Sequence, residues 1–163
     1  MKFFLLSKKI SSITVLCPLL SVNWLLGGEA LQVVIFRLGN EQFAVETAKV
    51  QSINDMMKIT KVPNAPEHIK GLINLRGNII SLLDINLLLG VNHNGNEQDN
   101  IIILNIEDEM VGITVDQVDE VLEVDESLLE KLEEDRKRAY IKGVINFKDR
   151  VVTLIDIDKL LSN

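Results

Sequence analysis

The chain has 163 residues, 47% of them hydrophobic and 25% charged, with a formal net charge of −7 at pH 7, a profile that fits a globular protein with enough apolar material for a core. The acidic balance argues against binding a nucleic-acid backbone, which needs clustered Lys and Arg to displace counterions, and against anionic membrane surfaces. A single cysteine, Cys17, cannot close an internal disulfide, and His68 and His93 without a nearby thiol give no zinc spacing.

Residues 1–30 form a peripheral N-terminal extension. Lys2, Lys8 and Lys9 precede an apolar stretch from Ile13 to Leu26, and Gly28 and Ala30 have the small side chains of a cleavage site, so the segment resembles a secretory signal. A mis-called start and a natural tail fit the same residues. Pro18, Ser21 and Asn23 interrupt the run too often for a membrane span.

From Leu31 the pattern becomes that of strands. Leu31 to Leu38 alternates with Val34, Phe36 and Leu38 on one face, and Gln42 to Glu46 turns Phe43 and Val45 inward, with Gly39-Asn40-Glu41 between them. This predicts a hairpin. A second hairpin pairs Leu72–Leu75 with Ile79–Leu83 around Arg76-Gly77-Asn78. Asp84 then caps a short helix over Ile85–Leu89 that Gly90 stops. Residues 91–100, rich in Asn and Gly, read as a linker.

Beyond the linker the design recurs. Ile101–Ile106 and Met110–Val115 flank Glu107-Asp108-Glu109, Val144–Phe147 and Val151–Ile155 flank Lys148-Asp149-Arg150, and Asp156 caps Ile157–Leu161. Between these hairpins, Ser127-Leu128-Leu129-Glu130 has the form of a capping box, and Glu133/Lys137 and Glu134/Arg138 stand at i, i+4 spacing, which predicts a surface helix.

The recurrence is a duplication. Aligning Ile69 with Ile141 leaves ten of the twenty-one positions up to Leu89 and Leu161 identical, against roughly one or two from average usage. Gly71/Gly143, Asn74/Asn146 and Asp84/Asp156 all repeat. Upstream, Val45 aligns with Ile113, so the second copy holds about four extra residues between Val115 and Tyr140. The units are a first repeat over 31–90 and a second over 101–163. Copies of about sixty residues are marginal alone, so the halves should share a core, with room for strands to exchange between them. The expected fold class is all-β, with small barrels and short helices.

Catalytic chemistry is not indicated. His68 and His93 have no positioned serine or cysteine, and neither a glycine-rich phosphate loop nor an HExxH pattern occurs. Asp84 and Asp156 sit at helix starts, where capping explains them better than an acid/base pair. Asp116 to Glu126 lacks the ligand pattern of a calcium loop. No metal or cofactor is expected.

Val62-Pro63-Asn64-Ala65-Pro66 followed by Ile69-Lys70-Gly71-Leu72-Ile73-Asn74-Leu75-Arg76-Gly77 and Asp84 resembles the CheW family of chemotaxis coupling proteins. So do Phe36-x-Leu-Gly-x-Glu, Lys49-Val50-Gln51-x-Ile53 and Val111-Gly112-Ile113-x-Val115-Asp116-x-Val118-x-x-Val121-Leu122, and the likeness runs from Leu31 to Asn163. It implies two packed five-stranded β-barrels and a non-catalytic, cytoplasmic adaptor. Its implied partners are the cytoplasmic tips of methyl-accepting receptors and the regulatory domain of the histidine kinase CheA. The receptor groove of the family falls here on Val50, Gly71, Arg76, Val118 and Val121, and backbone shape matters at Gly77 and Gly112. Gly143, the equivalent of Gly71, should support the same turn. Ser52 departs from the family, where many relatives carry an acid, and the segment before Tyr140 holds Glu and Lys in place of a proline-bearing loop. A CheW-like scaffold of another sensory pathway, or an exported small-ligand-binding protein resting on residues 1–30 alone, are the competing readings.

Overall fold

A computed structural model of the chain describes residues 13–14, 30–92, 97–132 and 139–162. Its strands are β1 (Ile13–Thr14), β2 (Ala30–Leu38), β3 (Glu41–Glu46), β4 (Val50–Asp55), β5 (Ile69–Leu75), β6 (Asn78–Asp84), β7 (Asn100–Ile106), β8 (Glu109–Val115), β9 (Gln117–Asp125), β10 (Leu129–Glu130), β11 (Ile141–Asn146) and β12 (Val151–Ile155). Two short helices follow the long hairpins, α1 (Ile85–Leu89) and α2 (Ile157–Leu161). The four expected hairpins and the two aspartate-capped helices are present. The signal-like segment lies outside the described residues apart from β1 and Ala30, as does His93 in the linker.

Turn chemistry explains why the hairpins close where they do. In β5–β6 the two turn residues, Arg76 and Gly77, have φ of 53° and 89°, and in β7–β8 Glu107 and Asp108 have φ of 48° and 67°. Two successive positive φ values match the right-handed twist of the flanking strands. Asp84 starts α1 by accepting the Asn86 N–H at 3.0 Å, and Asp156 starts α2 by accepting from Lys159 N–H at 3.3 Å.

The strands form two six-stranded sheets, ordered β1-β4-β7-β8-β6-β5 and β10-β11-β12-β3-β2-β9. Hairpin β2–β3 thus lies in the sheet built from β9–β12, and β7–β8 inserts between β4 and β6. Two parallel junctions seal the exchange. Leu154 pairs with Ala44 where β12 meets β3, and Leu82 with Gly112 where β6 meets β8. Ala44 and Gly112 are equivalent in the two copies, so a small residue faces a leucine at both. The sheets are open among the described residues: no ladder runs from the last strand back to the first, so the two barrels expected from the family pattern are two open sheets.

Exchange accounts for the apolar runs. Val33-Val34-Ile35-Phe36 and Ile101-Ile102-Ile103-Leu104 are all fully buried. Alternate residues divide between cores. Val34, Phe36, Ile102 and Leu104 enter a large cluster with residues of both sheets. Val33 and Ile35 pack with Ile145, Val152 and Leu154, while Ile101 and Ile103 pack with Ile73, Ile80 and Leu82. The one-faced alternation expected for residues 31–38 therefore captured only half of the burial, because β2 is covered on both faces.

The predicted helix starting at Ser127 is not formed at its N-terminal end. Asp125 caps instead, its Oδ1 accepting the Ser127 N–H at 2.8 Å, and a 3-10 turn spans Glu126–Leu128. Leu129 and Glu130 then pair with Ile145 and Val144 as β10. Ladder pairing of Leu129 outcompetes continuation of the turn. Glu133/Lys137 and Glu134/Arg138 lie outside the described residues.

Candidate functional site

The β5–β6 hairpin is built around a close approach. After β4 the chain returns past β5, and Thr60 and Leu72 exchange N–H to carbonyl bonds of 2.8 Å in each direction. Gly71, at a register shift in β5, has φ +150°, and a Cβ there would lie 2.4 Å from the Thr60 carbonyl oxygen. No side chain fits. Gly143 meets the same demand in the second copy, where a Cβ would stand 2.7 Å from the Glu130 carbonyl, because Glu130 pairs with Val144.

At the tip, the Asn74 side-chain oxygen accepts the Gly77 N–H at 2.9 Å and holds the turn. Gly77 has open space around its α-carbon, so its requirement is the positive φ alone. Arg76 is exposed beside it and has neither an ion-pair nor a hydrogen-bond partner among the described residues. Ile79, just past the turn, is 65% exposed. Gly112 is different: a Cβ would sit 2.9 Å from Leu82 Cδ1 and 3.4 Å from Ile101 and Ile103 side-chain carbons, so its demand is packing space.

The three valines lie elsewhere. Val50 and Val118 are each 6% exposed within the core between the sheets, and Val121 packs partly buried against it. Val50 pairs with Leu104, Val118 with Phe36 and Val121 with Val34. The structure thus gathers Val50, Val118 and Val121 around one inter-sheet core, sets Gly71 in β5, and carries Arg76 out to the hairpin tip.

Several polar residues that no motif marked hold the surface together. Asp119 accepts from Arg37 Nε at 2.9 Å and from Gln42 Nε2 at 2.6 Å. Asp116 accepts the Gly39 N–H at 2.7 Å. Together they fasten the β2–β3 turn to β9. An open cleft of about 580 Å³ lies there, lined by Arg37, Gly39, Asn40, Glu41, Gln42, Arg150, Val151 and Thr153. Both of its guanidiniums are neutralised by β9, Arg37 by Asp119 and Arg150 by Glu120. The signal for these pairings was the acidic run after Val115, legible only once β9 is known to lie beside β2.

Two titrations are perturbed. A hydrogen bond to Asp158, at 2.7 Å, raises the Lys49 ammonium above the ordinary lysine range. The backbone N–H of Ser127, then its hydroxyl, holds the Asp125 carboxyl below the usual carboxylate range. Neither group belongs to the hairpin tip. No helix among the described residues is long and apolar enough to cross a membrane.

A family model described as a CheW-like domain matches residues 32–163. The chain is 34% identical over 146 residues to the chemotaxis protein CheW of Klebsiella aerogenes, spanning 85% of this chain and 87% of that one. It is 28% identical over 131 residues to the chemotaxis protein CheW of Thermotoga maritima, spanning 80% and 87%. Among solved structures, the scaffolding protein TtCheW from Thermoanaerobacter tengcongensis superposes with a TM-score of 0.76 at 30% identity, over 83% of this chain and 94% of that one. Because the family model takes in β2 through α2 and the relatives match over most of their own length, this chain belongs to the CheW-like family.

Proposed function

We propose that this chain is the coupling adaptor of a chemotaxis pathway, binding the cytoplasmic tips of methyl-accepting receptors and the regulatory domain of the histidine kinase CheA. It works in the cytoplasm and has no reaction of its own. The observation that carries the reading is the CheW-like match across residues 32–163. Physical support comes from Arg76. A non-glycine residue at φ 53° costs the fold about 1 kcal/mol, and among the described residues its guanidinium gains no partner in return. A partner carboxylate or carbonyl would supply that return. In this reading Arg76 makes the receptor contact and Gly71 and Gly77 fix its position. Val50, Val118 and Val121 shape the groove from the core side, with little surface of their own.

The test is direct binding of the purified chain to a receptor cytoplasmic fragment and, separately, to a CheA regulatory domain, followed by reconstitution of receptor-controlled kinase activity. Binding to both, with the kinase responding only when the chain is present, is expected. Binding to neither would end the proposal. Capture of a sensory kinase from another pathway in place of CheA would move the adaptor to that pathway.

A further inference from the structure

We infer that Arg76 is one end of a longer cationic edge, completed by Lys58 and Lys61, that recognises an acidic segment of the receptor tip; the inference rests on the adaptor reading above. The chain is acidic overall, and six of its eleven described cations are neutralised internally. Arg37, Lys49, Lys70, Lys142, Arg150 and Lys159 each stand within ion-pair distance of a carboxylate. Lys58, Lys61, Arg76, Lys131 and Lys148 are exposed and have no such partner among the described residues, and the first three fall on the segment before β5 and on its tip. The acids of the same connection, Asp55 and Glu67, stand near its two ends and pair with neither lysine.

Topology brings the three cations to one border. The bridge between Thr60 and Leu72 is antiparallel, so the chain from Lys61 back to Lys58 runs along β5 toward the Arg76 end. An extended chain through that single bridge would bring Lys61 level with Gly71 and Lys58 level with Asn74. At about 3.4 Å per residue such an edge would run about 17 Å. Ile59, between the lysines, packs against the core cluster beneath β5, while Lys58, Thr60 and Lys61 are exposed. Unpaired cations along an edge favour a partner with carboxylates at matching intervals. Exposed ion pairs alone bind weakly, and Ile79 beside the tip offers the apolar contact that would exclude water around Arg76. The preferred ligand is therefore a segment with several acidic side chains and at least one apolar one.

The experiment titrates the full chain against a receptor cytoplasmic fragment at several salt concentrations, comparing wild type with Lys58→Glu/Lys61→Glu, with Arg76→Ala, and with Lys148→Glu as an unpaired cation on the other hairpin tip. The double reversal should weaken binding about tenfold at low salt and flatten its salt dependence, while Lys148→Glu binds as wild type. Loss in Arg76→Ala together with unchanged affinity and salt slope in the double reversal would overturn the cationic edge and leave the adaptor reading intact. Failure of the wild type to bind the receptor fragment at all would remove both. An equal loss in Lys148→Glu would assign the effect to net charge and overturn the edge.

Discussion

The two long hairpins are copies of one design, yet their tips hold their arginines in opposite ways. In β5–β6 a two-residue turn leaves Arg76 exposed, with no partner among the described residues. In β11–β12 the loop is longer, Phe147 N–H donating to the Arg150 carbonyl at 2.9 Å, and its arginine folds back. Arg150 lies 5.0 Å from the centroid of the Phe147 ring and pairs with Glu120 of β9. The lesson concerns where a cation can be offered to a partner. An arginine that is already satisfied inside the chain must break contacts to bind, whereas one held out on a rigid turn has nothing to break. Ile79 and Val151 remain equivalent, at 65% and 59% exposure, so the tips differ in polar satisfaction and not in apolar surface.

The sharpest test of this pairing is at the glycines that set the hairpins in place. Gly71→Ala combines a clash with the Thr60 carbonyl and an unfavourable φ, and should cost about 3 kcal/mol or more. Gly143→Ala meets a slightly more distant carbonyl and should cost less, about 1–3 kcal/mol. Urea midpoints measure both, and equal losses would break the distinction between the copies.

Next come the arginines themselves. Arg76→Ala should weaken receptor binding by about 1–3 kcal/mol and leave the urea midpoint nearly unchanged. Arg150→Ala should do the reverse, lowering stability by about 1 kcal/mol with receptor affinity intact. A shared phenotype in the two variants would erase the contrast between a free and a fastened tip.

The helix caps sharpen the comparison on a smaller scale. Asp84 is buried, accepts at 3.0 Å and stands 3.6 Å from Lys70, whereas Asp156 accepts at 3.3 Å with a more exposed side chain. Asp84→Ala should cost about 1–2 kcal/mol and Asp156→Ala about half as much. Thermal melts of the single variants would reveal whether the first copy carries the stronger cap. Arg76→Asn should raise stability by about 0.5–1 kcal/mol, since asparagine tolerates the left-handed turn, while losing the receptor contact.

The smallest effect is expected from pH. With its pKa raised by Asp158, Lys49 contributes stability that is present below the ordinary lysine value and lost as pH rises through its folded-state value, above about 10.4. Lys49→Met should flatten that alkaline limb. The equivalent positions, Gln117 in the second copy and Asn86 in the first, hold no ionisable pair, and Gln117→Met should leave the limb unchanged.

Much of this architecture could be read from residues alone. Glycine and asparagine turns, capping aspartates and the repeated Ile-Lys-Gly motif located four hairpins and both helices, because each rests on local backbone chemistry. β4 and β9 were not legible as strands. Gln117–Asp125 carries Asp119, Glu120 and Glu123, and an edge strand open on one side tolerates such polarity. The site divides in the same way. Arg76 at a turn is a local fact, and Gly71 was legible as a constrained glycine. The burial of Val50 and Val118 depends on which sheet lies opposite, and the place of Lys58 and Lys61 on a bridge to β5. Neither follows from spacing, since both arise from pairings between distant parts of the chain.

Hairpin exchange has a consequence for how the chain is made. Phe43 in β3 pairs with Thr153 in β12, so β3 must wait until nearly the whole second copy has been made before its ladder is complete. Closing so long a loop slows folding more than it weakens the folded state. During synthesis β3 and β6 each keep an open edge, and the second is covered only when β8 arrives. A nascent chain of this design has a prolonged interval of exposed sheet edge, and conditions that slow translation between β3 and β12 should favour mispairing between neighbouring chains.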